Sequence, residues 1–148
     1  MVAVESKCTE MLRPKRAIFS RQYETLVDTL FEPKWLRVYR DLKDKANAYR
    51  HLDAAQLVKH YLGLRKTFAG RDLTLPYLFW EPANAAKLPE FRQHRAEVSA
   101  FGNLVAGSAI DFAAMSYLEL WADWAIQDHP AWLGEHVVHL RARYEVTI

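Results

Sequence analysis

Residues 2–8 of the chain, VAVESKC, alternate with a two-residue period. This predicts a short strand with Val2, Val4, Ser6 and Cys8 on one face and Ala3, Glu5 and Lys7 on the other. The stretch Arg13–Arg16 is basic and loop-like. From Ser20, a good helix cap, Tyr23, Leu26, Val27, Leu30 and Phe31 recur at helical spacing, so an amphipathic helix is expected there, ended by Pro33. A second helix is expected from Lys34 to about Asn47, with Trp35, Leu36, Tyr39 and Leu42 turned inward. Asp53 then caps a longer helix striped by Leu57, Val58, Tyr61, Leu62 and Phe68.

Beyond the turn Gly70-Arg71-Asp72, the run LTLPYLFW (73–80) reads as an apolar strand. Pro76 withdraws one ladder donor from it, which implies a sheet edge or a bulge at that point. Residues 81–88 form a loop, and Pro89 opens a helix through Phe91, Val98, Phe101 and Leu104, with Gly107 just past its end. Ile110 to about Met115 is a short strand. Ser116 and Glu119 have the spacing of a capping box for a helix bearing Leu120, Trp121 and Trp124, and Pro130 starts a last helix to about Tyr144. No repeat or linker-like stretch divides these elements. The expectation is one domain, 1–148, of α/β (α+β) class, with a small mixed sheet of about three strands flanked by helices and a helical C-terminal part.

Composition narrows the function classes. With 51% hydrophobic and 13% aromatic residues the 148-residue chain is no disordered segment, and it is long enough for a real core. A single cysteine, Cys8, excludes an internal disulfide framework and a Cys-rich zinc site. No apolar run approaches the roughly 20 residues of a membrane span, and residues 1–10 lack the layout of a signal peptide, so a cytoplasmic protein is expected, with no membrane partner. The net charge of +2 conceals a basic half, residues 1–75, and an acidic half, residues 76–148. Such a split supports a polyanion-facing side, and it also suits Lys-rich solvated helix faces.

Glu5-Ser6-Lys7 carries the sharpest chemical signal. Two residues apart on a strand, a carboxylate and an ammonium project from one face about 6–7 Å apart along the chain. A carboxylate can hold Mg²⁺, and a lysine beside it can orient or deprotonate a water or offset charge on a phosphate. Phosphodiester hydrolysis needs those pieces, although a charged pair on an exposed strand has the same pattern.

The order of elements adds to this. A strand with E-x-K, then helices including LDAAQLVKHYLGL (52–64), then the strand LTLPYLFWEP (73–82) resembles the PD-(D/E)xK nuclease superfamily in its bacterial restriction-endonuclease-like branch. The resemblance extends through EFRQHRAEVSAFGNLVAG (90–107), FAAMSYLELWADW (112–124) and the closing helix. It implies that Glu5 binds metal, that Lys7 is the catalytic lysine and that the Ser6 carbonyl is a further ligand, with Mg²⁺ (or Mn²⁺) as cofactor and DNA as partner. It also makes Gln56 a catalytic-site glutamine. His60, one turn beyond on the same helical face, and Lys59 are within reach of a phosphate, and Glu10 is a candidate supporting acid. The superfamily's first acid lies on a strand before the E-x-K strand and has no counterpart upstream of Glu5. The expectation is therefore an N-terminally truncated core, with an E-x-K strand left as an open edge through which copies can associate.

Arg13, Lys15, Arg16 and Arg21, with Lys59, Arg65 and Lys66, form the candidate DNA face. His136 and His139 in GEHVVHL are not in H-E-x-x-H order and read as helix-surface or packing residues. Cys8 reads as a buried structural thiol, and Trp121, Trp124 and Trp132 as core rather than base-stacking residues. Three readings follow. The first is a metal-dependent DNA phosphodiester hydrolase, whose activity hangs on the missing acid. The second is a catalytically dead remnant that binds nucleic acid or protein. In the third, Glu5 and Lys7 are a surface ion pair on an ordinary globular domain, worth well under about 1 kcal/mol.

Overall fold

In the computed structural model, residues 1–126 and 128–148 are described. The elements run β1 (Glu5–Lys7), α1 (Val27–Leu30), α2 (Pro33–Asp44), α3 (Ala54–Thr67), β2 (Leu73–Phe79), α4 (Pro89–Val105), β3 (Ile110–Ser116), α5 (Tyr117–Ile126) and α6 (Ala131–Tyr144). The three strands form one sheet in the order β1-β2-β3. Class and strand number match the sequence-based expectation, but both pairings are parallel where a mixed sheet was expected. Helical connections between the strands allow this: α1, α2 and α3 join β1 to β2, and α4 joins β2 to β3.

Pro76 lies on the central strand, neither at an edge nor in a bulge. Thr74 donates to the Met1 carbonyl and accepts from the Ala3 N–H, so even-numbered residues of β2 turn their backbone groups toward β1. The next donor on that side would be Pro76, which has no N–H. The ladder lapses there and resumes at Glu5↔Tyr77, so the expected strand 2–8 is reduced to Glu5–Lys7 and an isolated bridge at Val2. Pairing to β3 uses the odd-numbered residues and continues unbroken from Leu73 to Phe79.

One sheet face packs Leu73, Leu75, Tyr77 and Phe79 against α2, α3 and α4, with Trp35, Tyr61 and Phe101 among the fully buried side chains. Trp35 stacks on Tyr61 with ring centroids 4.3 Å apart. Parallel sheets are usually covered on both faces. Here the opposite face leaves Val2 64% and Val4 55% exposed. Near the C-terminal ends of the strands that face meets α5 and α6 around an aromatic cavity of about 520 Å³. Trp121 is buried as expected, whereas Trp132 stands 64% exposed at the cavity, and Cys8 is an exposed thiol on its wall. The thiol escapes burial because β1 ends at Lys7 and the cavity lies where covering side chains would be.

The segment after Ser20 is helical but tighter than expected. Residues Arg21–Leu26 are 3₁₀, only α1 is a true α-turn, and Ser20 makes no capping hydrogen bond. No residue in these two stretches is fully buried, so little apolar burial acts to impose α geometry. The other expected caps form. The Asp53 carboxylate accepts from the Gln56 N–H at 3.0 Å. Ser116 N–H donates to Glu119 at 2.7 Å, and Glu119 N–H donates to the Ser116 hydroxyl at 3.2 Å.

His94 on α4 is wholly enclosed, with Nε2 2.9 Å from the Tyr77 hydroxyl and Nδ1 without a partner. Burial pulls its pKa down to about 4, because a charged imidazole there has no water. A depressed histidine pKa means that the unfolded chain takes up the proton first. Stability present above pH 6.5 is therefore lost as pH falls toward 4, at a cost of up to about 3 kcal/mol. Urea melts from pH 7 to 4 are expected to show that loss, and His94→Phe is expected to flatten it.

Candidate active site

The site is built from a strand and a helix that meet on the buried side of the sheet. Glu5 and Lys7 are two residues apart on β1 and project from one face, and Glu5 is only 8% exposed. Asp53 starts α3 where it faces that strand. From there Gln56 and His60, four residues apart, lie on one helical face.

The four side chains are in contact. Lys7 Nζ lies 2.9 Å from Glu5 Oε1, and His60 Nε2 lies 2.6 Å from Glu5 Oε2. The side-chain nitrogen of Gln56 is 2.9 Å from the same His60 Nε2. Both oxygens of a nearly buried carboxylate are thus occupied by basic side chains. Burial works against the Lys7 ammonium, but the hydrogen bond to Glu5 and the charges of Glu5, Asp53 and Glu10 outweigh it, so its pKa is raised. Lys7 is a cation at neutral pH.

Ser6 points its side chain to the other sheet face, where its hydroxyl pairs with the Tyr117 hydroxyl. The odd-numbered residues of β1 turn their backbone groups toward β2, as the bond from Trp80 N–H to the Lys7 carbonyl shows. The Ser6 carbonyl therefore faces the open outer edge, beside Glu5. Glu10 lies just past the strand, where its carboxylate accepts the Cys8 N–H at 2.7 Å. Its pKa is held low by its own N–H and that of Cys8, against partial burial, with help from Lys7 and Lys15.

The residues of the expected basic face come from the segment before α1 and from α3. Arg13 and Arg16 are exposed on the segment that follows Glu10–Leu12, and Lys15 is half-buried. That segment is tied down by Lys15 N–H to the Arg50 carbonyl and Ala17 N–H to the Ala46 carbonyl. Lys59 lies over the Phe19 ring, 5.7 Å from its centroid, on the helix that carries Gln56 and His60. Arg21 and Lys66 are exposed, and Arg65 pairs with Glu32 at 3.6 Å. His136 and His139 are both exposed on α6. Among the described residues no group of three His, Cys, Asp or Glu is placed to hold a metal ion.

Two carboxylates that the sequence reading passed over hold the site's surroundings in place. Glu97 on α4 accepts the N–H groups of Arg50, His51 and Leu52, at 2.9, 2.8 and 2.8 Å, on the approach to α3. Glu81, just beyond β2, is buried and takes a forked contact from Arg95, whose Nη1 also reaches Glu119 at 3.0 Å. The hydrogen bonds to Glu81 and Glu119 raise the Arg95 pKa above its ordinary value despite partial burial. Neither has a sequence signature, because each pairs residues far apart in the chain.

Against known proteins, a family model described as REase-ARP, restriction endonuclease associating with ARP, matches residues 1–145. No curated protein and no solved structure matches the chain. Among the described residues no helix is long and apolar enough to cross a membrane.

Proposed function

We propose that this chain, which belongs to the family of restriction endonucleases associating with ARP, is a metal-dependent hydrolase of DNA phosphodiester bonds. The observation that carries the reading is the contact of Glu5, Lys7, His60 and Gln56. The side chains come together from two elements, and the nearest pair across them in sequence, Lys7 and Gln56, is 49 positions apart.

The donor set is consistent with a divalent ion. Glu5 would supply one nearly buried carboxylate, with the Ser6 carbonyl and the Gln56 amide oxygen as further donors, and an ion there would take the place of a contact that Lys7 or His60 now makes. Such an ion, Mg²⁺ or Mn²⁺, would polarise the phosphate and make a bound water acidic enough to attack. The protein supplies the rest. Lys7, held as an ammonium, donates to a phosphate oxygen as negative charge builds on it. Lys59 and the exposed arginines 13 and 16 guide the sugar-phosphate backbone to α3. In this reading Lys7 acts by its charge and hydrogen bonds and not as the base.

Incubating the purified chain with supercoiled plasmid and Mg²⁺ or Mn²⁺ tests the proposal. Nicking that disappears in Lys7→Ala is expected, with a loss of about 10²–10³-fold. Equal nicking by wild type and variant would sink the reading.

A second reading, a binding module without catalysis, is favoured by one observation: Glu5 is the sole carboxylate in contact with the cluster among the described residues. The family's designation couples it to ARP, and in this reading the chain engages that partner. The open outer edge of β1 is where a second copy would pair. DNA affinity that falls steeply with salt and survives Glu5→Ala, with no cleavage, would favour this alternative.

A further inference from the structure

Four of the chain's five tryptophans line the cavity at α5 and α6, and the fifth, Trp35, is in the core. Burial accounts for Trp121, but Trp132 is 64% exposed. An exposed indole continuous with an apolar cavity marks a binding surface, unlike an isolated surface residue. The volume of about 520 Å³ falls within the roughly 300–1,000 Å³ of small-molecule sites. Two features choose the ligand. Tyr117 and Trp121, one turn apart on α5, set their rings 16° from parallel with centroids 5.9 Å apart, and both line the cavity. A planar ring extends such a stack, whereas a rounded cation is held by a cage of rings around it. Among the described residues no Asp, Glu, Lys or Arg lines the cavity, so neither a cation nor a phosphate finds a counter-charge there. The Tyr117 hydroxyl is paired with Ser6 and the Trp80 indole N–H with the Tyr144 carbonyl, which takes two polar groups out of play for reading a ligand's edges.

We infer that this cavity binds an unpaired nucleobase by stacking, with Trp132 at its mouth and without preference among bases. The choice of a nucleobase over other planar rings rests on the nuclease reading and on continuity with its site. Ser6, whose hydroxyl meets Tyr117, and Cys8, on the cavity wall, flank Lys7 in the chain. The strand that turns Glu5 and Lys7 to one side of the sheet thus carries the cavity wall on the other. A DNA backbone drawn along the open outer edge of β1 presents a phosphate to Lys7 and an unstacked base to Trp132. A free nucleoside shares the stacking chemistry and is the other source of such a ring.

Cys8 supplies a readout, because it is the single thiol of the chain and stands exposed on the cavity wall. The full chain, in chelator so that no DNA is cut, is titrated with single-stranded oligothymidylate, with an abasic strand of equal length, and with thymidine. Tryptophan fluorescence and the rate of Cys8 reaction with a chromogenic disulfide are followed. Expected with oligothymidylate are quenching and at least threefold slower reaction of Cys8. The abasic strand is expected to bind at least tenfold more weakly, and Trp132→Ala to lose about tenfold in oligothymidylate affinity, the worth of one stacked base. Protection by the strand alone assigns the ring to DNA, and equal protection by thymidine assigns it to free nucleosides as well. Equal affinity for the abasic strand, unchanged Cys8 reactivity at saturation, or unchanged affinity in folded Trp132→Ala would each overturn the inference. So would loss of self-association as the sole effect of Trp132→Ala, which would make the cavity an interface between copies. Should Trp132→Ala not fold, the abasic comparison and Cys8 protection in wild type decide. Plasmid cleavage is scored separately. Cutting with Mg²⁺ and no base-dependent quenching refutes the cavity and spares the nuclease, and base-dependent quenching without cutting does the reverse.

Discussion

Glu5→Gln is expected to reduce plasmid cleavage by at least about 10³-fold while leaving the chain folded. The substitution keeps the size of the side chain and removes its charge. Lys7 and His60 then face a neutral amide where each had a carboxylate oxygen, at 2.9 and 2.6 Å. In the proposed mechanism the change removes the carboxylate that Lys7 and His60 contact and that would hold the metal ion, and catalysis by such ions depends on their charge at the reacting phosphate. The Lys7 pKa is expected to fall in the same variant. Its rise over the ordinary value comes from Glu5, first by hydrogen bond and then by charge, against burial that pulls it down. The checks are an initial-rate plasmid assay at fixed metal concentration and a circular dichroism melt. Rates within threefold of wild type would remove Glu5 from the chemistry, and with it the case for hydrolysis.

Glu97→Ala is expected to cost about 3–5 kcal/mol of stability, more than any other single polar substitution proposed. The carboxylate takes three consecutive backbone N–H groups, from Arg50, His51 and Leu52, and Gln93 also donates to it at 3.0 Å. Hydrogen bonds to a charged acceptor are worth about 1.5–3 kcal/mol each, and the loss here is of a set that acts together. His51 and Leu52 are buried, so their orphaned donors gain little from water. The consequence reaches the site, because this turn leads into the helix carrying Gln56 and His60. Urea unfolding measures the stability, and cleavage at a permissive temperature measures the displacement. Glu97→Gln is expected to lose less, since an amide oxygen still accepts. A change under 1 kcal/mol in Glu97→Ala would show that the three contacts are dispensable.

These two residues mark what the sequence discloses and what it hides. Glu5 and Lys7 were legible because strand alternation is a local rule, and two residues apart on a strand means one face. Gln56 and His60 were legible for the matching reason on a helix. The contact of His60 with Glu5 was not, because it depends on how far α3 lies from β1 across a crossover of many residues. Glu97 shows no pattern at all until the chain folds back over Arg50–Leu52. The same gap explains Pro76. Its lost donor was readable, but which neighbour would miss it depended on the parallel register. Cys8 looked apolar-facing from alternation alone, and the shortness of β1 left its thiol on an open cavity wall.

Main-chain tethers at the C-terminal end have a practical consequence. Asn84 grips Ile148 with both amide atoms, Ala83 N–H donates to the Val146 carbonyl, and the Trp80 indole donates to the Tyr144 carbonyl at 2.8 Å. The tail is a fastening strap for the loop that begins with Glu81, the anchor of Arg95. An exopeptidase that shaved off five residues would slacken that loop and remove the Tyr144 carbonyl, and the indole of Trp80 would report the event as a change in its fluorescence.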